Sequence, residues 1–274
     1  MSEPTDDVVA IAESVRRGQR SATDVLEECL ARIGAGNARL NAFVHLDADG
    51  ARAQAERIDR AVAAGEDPGR LAGVPIGVKD LEDCEGMPTS HGSQLYKGRP
   101  PARDDSVHVA RLRAAGAVPV GKTAAPEFGS LALTSTKAWG TTRNPWDPAR
   151  TPGGSSGGSA AAVSAGLVPM ATASDGGGST RIPTAFCGLV GVKPSYGRIP
   201  HPRAIPSQTS CFGALVTTVA GAARHLDVAA GPHHRDRTSL PAPTLRYEAA
   251  IEDFDIRGLR AAWSGGVGVA WGDA

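Results

Sequence analysis

Apolar positions in the first seventy residues recur at helical intervals. Val8, Ile11 and Val15 share one face, as do Val25, Leu26, Leu30 and Ile33, and Ser21 with Asp24 is placed like a capping box before the second group. A third helix is predicted over 51–64. From Leu71 the pattern changes, because Leu-Ala-Gly-Val-Pro-Ile-Gly-Val is an apolar run of strand length closed by Lys79 and Asp80. Helix and strand then alternate. Helices are predicted over 106–115, 156–166, 182–186 and 219–230, with strands over 117–121, 167–173 and 189–192. This order predicts an α/β fold with a substantial buried sheet. Residues 1–70 are expected to form a helical segment packed on a core spanning 71–274, and no internal repeat is visible.

Composition narrows the class. The 274 residues include 34 Gly and 20 Pro, too many for a helical bundle or coiled coil, while a hydrophobic fraction of 41% still allows a proper core. The 29 basic and 29 acidic residues cancel, leaving no field to steer the chain to nucleic acid or to an anionic membrane. Only five of the basic residues are lysines, so a Lys ending an apolar run raises the question of why Arg was not used. Cys29, Cys84, Cys187 and Cys211 lie far apart without CxxC spacing, which predicts reduced thiols. The acidic start of the chain has no basic or apolar region of a signal peptide, and no run of about 18 apolar residues occurs. A cytoplasmic location is the expectation.

Ten of the 34 glycines fall between Gly153 and Gly191, most of them on two loops. In Ser174-Asp-Gly-Gly-Gly-Ser179 a strand gives way to a short helix, so that successive backbone N–H groups can converge as an oxyanion hole or anion nest, with Ser179 as nucleophile. The structural alternative is a helix cap. In Thr151-Pro-Gly-Gly-Ser-Ser-Gly-Gly158, four glycines free the backbone and two hydroxyls can face Ser179; again a cap is the alternative. Lys79 ends a buried run, where desolvation favours a neutral amine able to act as a base, unless it snorkels to the surface. Gly154 to Gly158 also fits the G-x-S-x-G elbow, which would make Ser156 the nucleophile, but Pro145, Pro148 and Pro152 crowd the place where its strand should be. Gly116 to Thr123 fits the P-loop formula; its apolar interior reads as a strand and Pro126 interrupts the helix that should follow. His233, His234 and Asp236 lack metal-site spacing and read as solvated surface.

Taken together, these segments resemble the amidase signature family. The resemblance rests on Gly73-Val-Pro-Ile-Gly-Val-Lys79-Asp80, Gly121-Lys-Thr, Asn144-Pro-Trp, the loop from Thr151 continuing to Val163, Ser174 to Pro183, and Phe186-Cys-Gly-Leu-Val-Gly-Val-Lys-Pro194. It implies a mixed central β-sheet covered by helices and a Ser-cisSer-Lys triad of Ser179, Ser155 and Lys79, Ser155 following a cis peptide bond. The backbone N–H groups of Gly176, Gly177, Gly178 and Ser179 fall on the family's oxyanion donors. The implied activity is hydrolysis of a carboxylic amide through an acyl-enzyme, with neither metal nor organic cofactor. The implied partner is a small-molecule amide, with no nucleic acid or membrane, and self-association as a homodimer is the oligomeric state to test.

Family members are longer, and the segment after Ile256 to Trp263 is where their second half begins. The chain is therefore expected to be the N-terminal part of a family fold incomplete at its C-terminal side, with a sheet edge and apolar surface left uncovered. Gly176 stands where many members have Thr or Ile, and Ala214 and Thr217 replace a Pro and an Arg. The run Ser-Ser-Leu-Asp-Gln expected of the tRNA-dependent amidotransferase A-type subunit is missing after Arg198, which favours a free-standing amidase. The alternatives are an inactive truncated remnant and an amidotransferase A-type subunit.

Overall fold

Helix boundaries fall where side chains can satisfy the free N–H groups of the first turn. In the computed structural model, which describes residues 7–202 and 207–262, Asp7 caps α1 (Val8–Arg16), Ser21 caps α2 (Ala22–Leu40) by accepting from Asp24 N, and Asp47 caps α3 (Ala48–Ala63). Ser106 caps α4 (Val107–Ala114) in the same way. The Asp59 carboxylate on α3 accepts from Ala22 N, Thr23 N and Thr23 Oγ1, locking the start of α2 against α3. Residues 263–274 of the expected core, Trp263 included, lie outside the described residues.

The strands are β1 (Phe43–Leu46), β2 (Pro75–Lys79), β3 (Val118–Thr123), β4 (Ser135–Thr136), β5 (Gly140–Thr141), β6 (Met170–Asp175), β7 (Val190–Gly191) and β8 (Cys211–Val216). Six of them form one sheet in the order β1-β3-β2-β6-β8-β7, with β4 and β5 paired separately. The pairs β2–β3 and β2–β6 are parallel, while β1–β3, β6–β8 and β7–β8 are antiparallel, so the sheet is mixed. The remaining helices are α5 (Gly157–Ser164), α6 (Arg181–Cys187), α7 (Val219–Ala229) and α8 (Tyr247–Glu252). Ile76 and Val78 of β2, Leu26 and Ile33 of α2, the alanines of α5 and Leu215 of β8 belong to one buried cluster.

Two sheet strands escape the sequence pattern for different reasons. β8, Cys-Phe-Gly-Ala-Leu-Val, is buried along its whole length, so it shows no alternation, and Gly213 and Ala214 dilute its apolar signal. β1 is four residues long and lies inside the segment read as helical; it pairs with β3 at the edge of the sheet. The P-loop formula at Gly116 to Thr123 is β3 itself, preceded by the turn at Gly116 that ends α4.

α5 approaches the end of β3 closely because its residues are small. A Cβ built on Gly158 would overlap the Ala124 backbone, whereas one on Gly34 in α2 would meet nothing within 4 Å. Gly34→Ala is therefore expected to raise stability by about 0.5–1 kcal/mol through helix propensity. Gly158→Ala should lower it by about 1–3 kcal/mol through overpacking, despite the same gain in propensity. Urea midpoints of the two variants decide the matter; equal shifts would mean that α5 is not held against β3 as described.

Candidate active site

Parallel pairing with β3 and β6 carries the end of β2 into the middle of the sheet, and Lys79 is its last residue. Its backbone N–H donates to Thr172 Oγ1 of β6 at 2.9 Å, and its side chain is 0% exposed. The Nζ lies 2.9 Å from Ser155 Oγ, 2.7 Å from Ser156 Oγ and 3.0 Å from Ser174 Oγ. Burial pulls the Lys79 ammonium down to about 7, against the opposing influence of the Glu82 and Asp175 charges. A neutral amine has two N–H donors and one lone pair, so two of the three hydroxyls can accept while the third donates to nitrogen.

Ser155 follows a cis peptide bond, Gly154–Ser155, and is buried. Ser156 precedes α5 at the capping position, yet its side chain makes no cap bond; the hydroxyl turns to Lys79 instead. Its backbone N–H donates to Ser179 O at 3.2 Å, which joins the two serine loops. Among the described residues no histidine is hydrogen-bonded to Ser156, so the partners that a G-x-S-x-G nucleophile needs are not at hand.

The glycine loop is shaped by Asp175, at the end of β6. Its carboxylate accepts from Gly178 N at 2.7 Å, Thr180 N at 3.2 Å, Arg181 N at 3.3 Å and the Arg181 guanidinium at 2.9 Å. Burial pushes this carboxyl up, but the bonds from Arg181 and the three backbone N–H groups outweigh it and hold the pKa at about 2. The Gly178 N–H is thereby engaged, while those of Gly176, Gly177 and Ser179 have no protein partner among the described residues. Ser179 and Ser155 line the same cavity with Gly176 and Gly177.

Two contributors were not singled out from the sequence. Ser174 reads as the first residue of a loop, yet it ends up beside Lys79 because it lies on β6, the parallel neighbour of β2. Asp175 sits within the quoted glycine motif, but nothing in spacing alone shows that its carboxylate folds back on three backbone N–H groups and the Arg181 guanidinium. Beyond Lys79, Asp80 accepts from Ser90 N, Ser90 Oγ and Gly92 N, which fixes the loop that follows β2. Glu82 accepts from His108 Nδ1 at 2.9 Å, and His108 Nε2 lies 2.8 Å from His225 Nε2, all three side chains being buried. His225 is held well below the usual histidine range by burial and by His108.

Comparison with known proteins places this geometry. The chain is 46% identical over 253 residues to the A-type subunit of the glutamyl-tRNA(Gln) amidotransferase from Synechococcus sp. (strain RCC307), covering 92% of this chain and 52% of that protein. Among solved structures, a protein from a vestigial complex linked to the evolutionary origins of an s-triazine catabolic enzyme superposes with a TM-score of 0.85 at 40% identity, over 93% of this chain and 56% of that one. A 6-aminohexanoate cyclic dimer hydrolase, solved with its substrate, superposes with a TM-score of 0.84 at 36% identity, over 92% of this chain and 52% of that one. The chain spans about half the length of the curated relatives it matches. The sequence profile of the Amidase family matches residues 24–263, so the chain belongs to the amidase family.

Proposed function

We propose that the protein hydrolyses a carboxylic amide through Ser179, with Ser155 and Lys79 as its proton relay. The observation that carries this reading is the fully buried Lys79 amine, held within 3 Å of the Ser155 and Ser156 hydroxyls and adjoining a serine that faces a cavity. Neutral Lys79 takes a proton from Ser155, which takes one from Ser179, and Ser179 Oγ bonds to the amide carbon. The negative charge that develops on the carbonyl oxygen meets the N–H groups of Gly176, Gly177 and Ser179, with Gly178 held by Asp175 as the hinge between them. As the C–N bond breaks, the proton returns along the relay to the leaving amine. Water then repeats the cycle on the ester, releasing the acid and restoring Ser179. No step needs a metal or organic cofactor, and Arg could not replace Lys79 because it does not give up its proton.

The segment before residue 71 is taken as helical except for β1, which joins the sheet of the catalytic core that begins there. The partner is a small-molecule amide rather than nucleic acid or membrane, in a cytoplasmic protein for which a homodimer is the oligomeric state to test. Among the described residues no helix is long and apolar enough to cross a membrane. A second reading, an amidotransferase A-type subunit, is favoured by the relatives of that name; it predicts that turnover requires an ammonia acceptor and a partner subunit.

Three outcomes test the proposal. A fluorophosphonate probe followed by peptide mapping is expected to label Ser179; a label on Ser156 with none on Ser179 would reject the assignment. Lys79→Ala should keep the circular dichroism of the wild type and slow labelling by about 10²–10⁴-fold, the usual weight of general-base catalysis. The labelling rate should rise with pH and level off above about 7, because below that value Lys79 is an ammonium and cannot accept a proton. A rate independent of pH between 5 and 9 would remove Lys79 as the base.

A further inference from the structure

One interior carboxylate takes part in no step of the relay. Glu82 follows β2 in a tight turn, its N–H donating to the Lys79 carbonyl at 2.9 Å, and its side chain has no exposure. Its Oε2 accepts from His108 Nδ1 at 2.9 Å and from Ser106 Oγ at 3.4 Å, while Oε1 has no hydrogen-bond partner among the described residues. Keeping a carboxylate in the interior with one oxygen unbonded is costly, so its presence one turn from the base calls for a physical reason.

The carboxylate is held in place by two histidines. His108 Nε2 lies 2.8 Å from His225 Nε2, and the His108 ring meets the His225 ring edge-on at 5.1 Å and stacks on Phe212 at 5.3 Å. Burial and His108 hold His225 well below the usual histidine range, so it is neutral and carries one N–H. It can donate that N–H to His108 or accept from it, by a change of tautomer. In either arrangement His108 Nδ1–H stays on Glu82.

The charged and titratable groups around Glu82 come from several elements. Lys79 and Asp80 stand at the end of β2, Lys122 on β3 donates to the Glu82 carbonyl, and Asp83 and Cys84 follow on the same loop. His108 and His225 come from α4 and α7, whose Arg113 and Arg224 are engaged by Asp105 and by Glu13 with Glu248. Asp80 is the strongest acidic influence on Lys122. On Lys79 the strongest is Glu82, ahead of Asp175, and Asp175 is already paired with the Arg181 guanidinium, whereas Glu82 is met by a histidine. Between buried groups such an influence is little screened. We propose, resting on the hydrolase reading above, that Glu82 is a positioning residue that acts through Lys79: its buried charge sets how readily the amine takes up and releases the relay proton, and His108 with His225 keeps that charge in place.

Titration of Lys79 itself separates this inference from the chemistry, since it needs no turnover. With lysine labelled by carbon-13 at Cε, the five lysines give few signals by nuclear magnetic resonance, and the one lost in Lys79→Ala is assigned to Lys79. Its midpoint is expected at about 7 in the wild type. Glu82→Gln keeps an acceptor for His108 and removes the charge that favours the ammonium, so the midpoint should fall by about half a pH unit or more. Glu82→Asp keeps the charge and should show less than half of that fall. The pH at which fluorophosphonate labelling of Ser179 levels off should move with the midpoint. A smaller fall or a rise in Glu82→Gln would overturn the proposal, as would a fall in Glu82→Asp at least half as large, which would trace the effect to packing. Should Glu82→Gln lose the circular dichroism of the wild type, His108→Gln carries the test. Its amide can still donate to Glu82 but cannot become a cation that offsets it, so the midpoint should hold or rise, and a fall would overturn the proposal. A Lys79 midpoint that follows Glu82 in a protein whose Ser179 never takes up fluorophosphonate would sink the hydrolase reading and leave the role of Glu82 toward the amine standing. A labelled Ser179 with a midpoint indifferent to Glu82 would do the reverse.

Discussion

An amine buried without a carboxylate beside it is the constraint around which this fold is arranged. Lys79 lies at zero exposure, and among the described residues its Nζ meets three hydroxyls and a carbonyl oxygen. A direct ion pair would have kept the ammonium charged; an apolar pocket would have left its N–H groups unsatisfied. Hydroxyls do neither, since they can donate or accept according to the proton count of the amine. The Glu82 and Asp175 charges act on Lys79 without touching it, and burial still prevails.

Bringing three hydroxyls to one nitrogen requires three backbones to converge, and this explains where the small residues are. β6 lies beside β2 and brings Ser174; the loop before α5 brings Ser155 and Ser156. That loop and α5 can only come so close because Gly154 lies against the Leu131 and Leu133 backbone and Gly158 against Ala124. A polar ladder ties the layers beneath: Thr123 Oγ1 and Ser159 Oγ are 2.7 Å apart, and Ser159 Oγ donates to Thr172 O. The hydroxyl of that same Thr172 accepts from Lys79 N, so β2, β3, β6 and α5 are hydrogen-bonded to one another directly under the amine.

Much of this was legible in the sequence because helices and buried strands leave local traces. The helical spacing of Val25, Leu26, Leu30 and Ile33 and the Ser21 cap predict α2, and the run ending at Lys79 predicts β2, shortened in the structure to Pro75–Lys79. The segments that the family resemblance rests on are the ones that surround the amine. β8 was not legible, because a strand buried on both faces and rich in small residues has no period to detect. Nor were the roles of Ser174 and Asp175, since what each side chain meets depends on strand pairing and on the reversal of the glycine loop.

Lys79 and Lys122 show why register rather than composition decides between candidates. Both close apolar runs of strand length, both are fully buried, and burial lowers the pKa of each. They sit on adjacent parallel strands, but Val78 pairs with Lys122 and Lys79 pairs with Thr123, so the two side chains leave opposite faces of the sheet. Lys122 meets Glu82 O and Thr89 Oγ1 beneath the loop that follows β2, with Asp80 the strongest acidic influence. It therefore braces the segment that Asp80 also clamps, and among the described residues its nitrogen meets no serine. A shift of one residue in the β2–β3 pairing would turn both lysines to the same face of the sheet. The β-bulge between Ile76 and Gly77 lies within this pairing, and past it Gly77, Val78 and Lys79 match Gly121, Lys122 and Thr123 in order. What brings Lys79 to the serines is thus the face it is assigned by that register, a property of two strands together and of neither sequence segment alone.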